Sequence, residues 1–275
     1  MDAPAGLLPL SRPLMTGEVL DAAFRLFRAG LLRCLPYSGL AVLAIEFPTF
    51  YSTFVSAALG GGIPSGFGIT DHLDVTVYVI FFVFLAFLLG VITLRLQAIA
   101  RGDRPSFRRE VGTAFRRWPL ALVATAGAIG LPALLALVAT LDFGSRFVVV
   151  LVFAVPVLWP TSLLILALPA YWCDRLGPFA AIARAVSLSR RRSWRMLGAL
   201  LATACMVSAF YVLSAIIAGL MSQLIGAADL FLIAAVSSML SLVIGALGVP
   251  FIIAVLIVAY EDLKRRDVER REVQA

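Results

Sequence analysis

Charged side chains are scarce in this sequence, because Asp, Glu, Lys and Arg together make up only 14% of its 275 residues. A soluble domain carries about a quarter of its residues as charges, since its surface faces water. Here 61% of the residues are hydrophobic and the mean hydropathy is +1.00. A fully water-exposed surface is therefore excluded, and the composition predicts an integral membrane protein.

Side chains that carry chemistry are equally few. The chain has one histidine, His72, in a glycine-rich loop, and three cysteines, Cys34, Cys173 and Cys205. No CxxC or Cys/His spacing indicates a zinc site or a redox pair. Acid–base or metal catalysis requires such groups to converge. The sequence therefore predicts no enzyme activity, no metal and no cofactor.

Six continuous apolar stretches are each long enough to cross a membrane, which takes about 20 residues in a helix. Backbone polar groups in lipid must be hydrogen-bonded within their own segment, so continuous stretches predict helices rather than strands. The fold class predicted is all-α, with six transmembrane helices. They are expected at residues 35–59, 75–99, 119–141, 147–171, 197–225 and 230–260.

The charges that do occur are mostly basic and fall in alternate connections. Residues 1–34, 100–118, 172–196 and 261–275 hold 21 of the 23 Lys and Arg, whereas the other connections hold only Arg146. Positive charge stays in the cytoplasm during insertion, so both termini are predicted to be cytoplasmic. Basic segments beside the membrane favour anionic lipid as a partner and argue against nucleic acid.

Three basic amphipathic segments precede the odd-numbered spans, at 17–33, 106–118 and 178–195. Each aligns apolar residues at helical spacing, so we predict three interfacial helices in the headgroup plane.

The same arrangement suggests a three-fold pseudo-repeat, with units at about 16–100, 104–171 and 177–260. These units would form one membrane domain, 16–260. We expect a loose cytoplasmic tail, 1–15, before it and a charged cytoplasmic tail, 261–275, after it.

Two sets of polar residues are candidate sites. Glu46, the only acid within a predicted span, and Arg95 could form an intramembrane polar site. Alternatively, Arg95 extends to the cytoplasmic surface and Glu46 is a structural acid with its own partners. The second set comprises expected contacts to lipid headgroups or to a membrane or cytoplasmic protein partner, namely Arg25, Arg28, Arg108, Arg116, Arg184, Arg191 and Arg192.

Three segments, GEVLDAAFRLFR, DRLGPFAAIARAVSLSRRRSWRMLG and AYEDLKRRDVERR, together resemble a bacterial six-span family. That family includes the membrane domain attached to some glycerophosphodiester phosphodiesterases and related uncharacterised proteins. The resemblance implies a multi-pass protein of the bacterial cytoplasmic membrane. It does not imply phosphodiesterase activity, because that chemistry belongs to a separate soluble barrel of about 250 residues.

Two functions fit these features best. The first is a non-catalytic inner-membrane protein that organises lipid or binds partners through its basic cytoplasmic segments. The second is a small transporter or exporter of a lipidic or amphiphilic molecule, which the repeat and Glu46 favour. Few other polar residues lie near the predicted midplane, and this counts against transport.

Overall fold

The computed structural model describes residues 10, 12–58, 72–103, 106–140, 160–190, 193–225 and 230–274. Within these ranges the secondary structure is helical and contains no strand, which confirms the all-α class. The helices named below are α1 (Thr16–Ala58), α2 (His72–Ala100), α3 (Phe107–Thr140), α4 (Ala167–Cys173), α5 (Pro178–Ser189), α6 (Ser193–Ile225) and α7 (Leu230–Gln274).

Four apolar segments within these helices are long enough to cross a membrane. They are Thr16–Phe47, Val79–Ala100, Ser193–Ile217 and Met239–Gln274, and they overlap the first, second, fifth and sixth predicted spans. Their length and composition support membrane-spanning helices. Helix α3 contains most of the third predicted span, and most of the fourth lies outside the described residues. The total of six stays a prediction.

The first two amphipathic segments are not separate interfacial helices, which corrects the sequence prediction. Helix α1 continues through Pro36, and α3 continues through Pro119. Proline removes one backbone hydrogen bond, and a helix tolerates this loss where packing holds its two halves in line. The start of α1 has such packing, because Val19, Ala23 and Leu26 are buried in the core.

The third amphipathic segment does begin as a helix of its own. Helix α5 starts at Pro178, directly after Gly177, where a missing backbone N–H costs nothing. It ends at Ser189, and α6 starts at Ser193.

Helix α7 is the central element of the fold. It contacts α1, α2, α4, α5 and α6, and nearly every side chain from Phe251 to Tyr260 is buried. Its 45 residues correspond to about 68 Å at about 1.5 Å per residue, more than twice the thickness of the hydrocarbon layer. The charged segment 261–274 is the helical continuation of α7, and its cytoplasmic location stays a prediction.

Glycine permits the closest approach between two of the inner elements. The Trp172 side chain of α4 is fully buried, and a Cβ atom placed on Gly90 of α2 would lie 2.3 Å from its Cζ2. Small residues allow membrane helices to pack at such short separations. Gly90 thus creates the space that the indole ring fills.

Candidate functional site

Contacts between distant parts of the chain bring the four basic segments together at one end of the bundle. The backbone N–H of Leu14 donates to Asp262 Oδ1 at 2.7 Å. Arg117 Nη2 donates to the Leu176 carbonyl at 2.7 Å, and Arg184 Nη1 lies 3.3 Å from Asp267 Oδ2. We call this region, residues 12–34, 95–118, 171–196 and 260–274, the arginine-rich end.

Arg95 forms a buried ion pair with Glu110 and not with Glu46, so of the two alternatives above the structure does not show the Glu46–Arg95 contact. Arg95 Nε is 2.8 Å from Glu110 Oε2, and the two side chains are 11% and 7% exposed. Arg95 Nη1 also donates to the Arg33 carbonyl at 2.7 Å. Its guanidinium lies over the Tyr37 ring, 4.8 Å from the centroid.

The position of Glu110 in the sequence indicates this pair, although Glu110 was not among the predicted site residues. Glu110 is the only acid in 106–118, and it follows Phe107 by three residues, so both lie on the apolar face of α3. An acid on an apolar helical face needs a buried partner. Arg95 of α2 is the partner that the fold supplies.

Glu46 occupies a different part of the molecule from Arg95. It is half-buried in α1, and among the described residues it forms no hydrogen bond or ion pair. Val42, one helical turn before Glu46, packs against Gly245 of α7, where its Cγ2 would lie 2.7 Å from an added Cβ atom. The Tyr211 hydroxyl of α6 would lie 3.2 Å from a Cβ atom on Gly245. Glu46 therefore belongs to the α1–α6–α7 side of the bundle.

A second buried acid fixes the entry of the chain into α1. Asp262 is 2% exposed; besides the Leu14 N–H it accepts a hydrogen bond from Arg266 Nε at 3.0 Å. Arg195 and Arg266 both donate to the Leu14 carbonyl. The segment 1–15, predicted to be loose, therefore ends in residues that are held in place.

Asp174, in the loop after α4, connects that loop to α7. It accepts hydrogen bonds from the Tyr260 hydroxyl at 2.6 Å and from Lys264 Nζ at 2.8 Å. Burial raises the pKa of Asp174, but these two donors lower it by a larger amount. The pKa therefore lies below the usual value.

The arginines predicted to contact lipid fall into three groups. Arg28, Arg108 and Arg116 are exposed and form no ion pair or side-chain hydrogen bond among the described residues. Arg25 is exposed but pairs with Asp21, and Arg184 is partly buried beside Asp267. Arg191 and Arg192 lie outside the described residues.

A polar cavity of about 150 Å³ opens between the end of α2, the start of α3 and the loop after α4. Its wall includes Arg101, Arg109 and Arg175, together with Gln97 and Glu110. No group of three or more His, Cys, Asp or Glu in the described part of the chain has an arrangement suited to a metal ion. The cavity wall therefore combines three arginines with two carboxylates, Asp103 and Glu110, and with neutral hydrogen-bonding groups.

No protein-family model, curated protein or solved structure matches this chain. The fold and its apolar helices define the class instead, which is an all-helical, multi-pass membrane protein.

Proposed function

We propose that this protein is a non-catalytic membrane protein that binds anionic lipid at its arginine-rich end. Through this binding it organises lipid, or holds a partner, at the cytoplasmic face of a bacterial inner membrane. The observation that carries the proposal is a set of exposed arginines on α1 and α3 that have no ion pair with any residue the structure describes, namely Arg28, Arg108 and Arg116.

Exposed aromatic residues next to these arginines support the same surface. Phe107 and Phe115 are 58% and 67% exposed, and each immediately precedes an exposed arginine in the sequence. Aromatic rings and arginine stems partition into the headgroup boundary, where the guanidinium reaches lipid phosphates. Each arginine near an anionic membrane surface contributes about 1 kcal/mol to the free energy of binding.

The proposal includes the orientation of the protein in the membrane. The distribution of Lys and Arg favours a cytoplasmic location for both termini and all four basic segments. The expected six spans, the pseudo-repeat and the bacterial location are parts of the same proposal, and the resemblance to the six-span family stated above supports them.

Lipid retention tests the proposal directly. The protein, purified in detergent, is offered equal amounts of phosphatidylglycerol and phosphatidylcholine, and native mass spectrometry counts the bound lipids. We expect a preference for phosphatidylglycerol that falls about thirtyfold in the double variant Arg28→Gln/Arg116→Gln, because two cationic contacts of about 1 kcal/mol each are lost.

The matched control is Arg28→Lys/Arg116→Lys, which keeps both charges and should keep the preference. A wild-type protein that retains the two lipids equally would contradict lipid binding through this surface.

A further inference from the structure

The polar cavity at the arginine-rich end is lined by cationic side chains that take no part in the ion pairs of the described residues. Arg101, Arg109 and Arg175 line it, and their guanidinium groups form no ion pair or hydrogen bond among the described residues. Two carboxylates, Asp103 and Glu110, also line the wall, but Glu110 is already paired with Arg95. A cavity with several guanidinium groups has a positive potential that concentrates anions.

One buried acceptor beside this cavity has no partner within the part of the chain that the structure describes. Arg95 occupies Oε2 of Glu110, whereas Oε1 is buried and forms no hydrogen bond. The whole residue is only 6% exposed. Buried polar atoms in folded proteins are almost always hydrogen-bonded. Because Oε1 is enclosed, an entering group cannot reach it, and the acceptor that the wall offers to a donor group is the exposed carboxylate of Asp103.

Arg175 is held in the wall by an unusual backbone conformation. Its φ is 55°, in the left-handed region that side chains other than glycine rarely adopt. Such conformations persist where the surrounding structure fixes them, and they are concentrated at binding and catalytic sites. The neighbouring hydrogen bond from Gln97 Nε2 to the Cys173 carbonyl, 3.1 Å long and buried, fixes the chain close to Arg175.

We propose that this cavity binds a phosphate ester that also carries a hydrogen-bond donor, an ammonium or a hydroxyl group. Arginine pairs with phosphate oxygens through two parallel N–H groups, so Arg101, Arg109 and Arg175 take the phosphate. Asp103, the exposed carboxylate of the wall, accepts the hydrogen bond from the donor group. A phospholipid headgroup and a soluble phosphate ester share this chemistry.

The inference deepens the proposed lipid binding and rests on it. The two sites differ in what they recognise. The exposed arginines of α1 and α3 bind according to net lipid charge, whereas the cavity binds a phosphate that has a hydrogen-bond donor next to it.

Phosphatidylethanolamine and phosphatidylcholine separate the two effects. Both carry one phosphate and no net charge, but only the ethanolamine headgroup has N–H donors. In native mass spectrometry of the detergent-purified protein we expect phosphatidylethanolamine to be retained about tenfold over phosphatidylcholine, the ratio for one charge-assisted hydrogen bond.

Removing a cavity arginine should reduce that retention. Arg109→Gln is expected to lower bound phosphatidylethanolamine about tenfold, because a guanidinium–phosphate contact is lost. Arg270→Gln is the matched control, since Arg270 is also exposed at the arginine-rich end but does not line the cavity. It should retain the wild-type amount.

A titration calorimetry arm with phosphoethanolamine distinguishes the two sources of ligand. Binding that Arg109→Gln abolishes, together with no preference between the two lipids, would assign the site to a soluble ester. Equal retention of both lipids, with no binding of phosphoethanolamine, would overturn the inference. Preference for phosphatidylglycerol through Arg28 and Arg116 is a separate readout, so either proposal can fail alone.

Discussion

At the residue scale, the arginines of this chain fall into two groups, those that stabilise the fold and those that face its surroundings. Arg95 and Arg117 reach inward to backbone carbonyls, and Arg95 also neutralises a buried carboxylate. The exposed arginines face the surroundings and contribute little to folding, because ion pairs in water are worth at most about 1 kcal/mol. Burial therefore decides which arginine stabilises the fold and which can bind a ligand.

Removing one partner from the buried pair should be far more costly than removing one from an exposed pair. We expect Glu110→Ala to lower the free energy of unfolding by about 3 kcal/mol, because it leaves the Arg95 charge buried alone. Asp21→Ala breaks the ion pair between Asp21 and Arg25, whose side chains are 59% and 65% exposed. It should change the free energy of unfolding by about 0.5 kcal/mol or less.

Equilibrium unfolding in mixed micelles with increasing SDS measures both variants. Equal losses in the two variants would show that the Arg95–Glu110 pair is not the stabilising contact described above.

Asp174 should make the stability depend on pH in the acid range. Its folded-state pKa lies below the usual value of 3.8, so its ionised form stabilises the folded protein at higher pH. This contribution is fully present above the unfolded-state pKa and is lost as the pH falls through the folded-state pKa.

Thermal melts of the wild type and of Asp174→Asn over a series of pH values test this expectation. The wild type should be the more stable of the two at neutral pH, and the difference should shrink only in acid. A difference that stays constant down to the lowest pH would contradict the role given to Lys264 and Tyr260.

At the element scale, packing between α2 and α4 depends on the absence of a side chain at Gly90. A Cβ atom there would lie 2.3 Å from Trp172 Cζ2 and 2.8 Å from its Cε2. Gly90→Ala should therefore lower the free energy of unfolding by about 1–3 kcal/mol, the usual cost of overpacking a core.

Gly198→Ala in α6 is the matched control, because no atom lies within 4 Å of its added Cβ. There the better helix propensity of alanine should raise the stability by up to about 1 kcal/mol. Thermal unfolding followed by near-UV circular dichroism reports both. Destabilisation of the two variants to the same degree would argue against close packing at Gly90.

The course of the helices shows where the sequence patterns were sufficient and where they failed. Long apolar runs predicted the helices at 35–59 and 230–260 because lipid leaves the backbone no alternative. Pro36 and Pro119 suggested breaks, since proline ends most helices in water. Burial of the segment before Pro36 against α7 keeps α1 continuous, and that contact joins residues too far apart for any local pattern to reveal.

At the scale of the whole molecule, the four basic segments meet at one end of the bundle. The end of α7 contacts the segments before α1 and after α4, and Arg117 of α3 bonds to Leu176. Asp262 bonds to Leu14 across 248 residues, and Lys264 bonds to Asp174 across 90. The charge distribution predicted that these segments share one side. Which acid meets which arginine was not predictable, because the pairing depends on helix rotation and register.

Cysteine accessibility in spheroplasts tests this arrangement most directly. Cys34, Cys173 and Cys205 are replaced by alanine, and single cysteines are introduced as Arg116→Cys, Gln274→Cys and Gly66→Cys. A membrane-impermeant maleimide should label position 66 in intact spheroplasts, and positions 116 and 274 only after permeabilisation. Labelling of 116 or 274 from outside would contradict a single arginine-rich surface on the cytoplasmic face of the membrane.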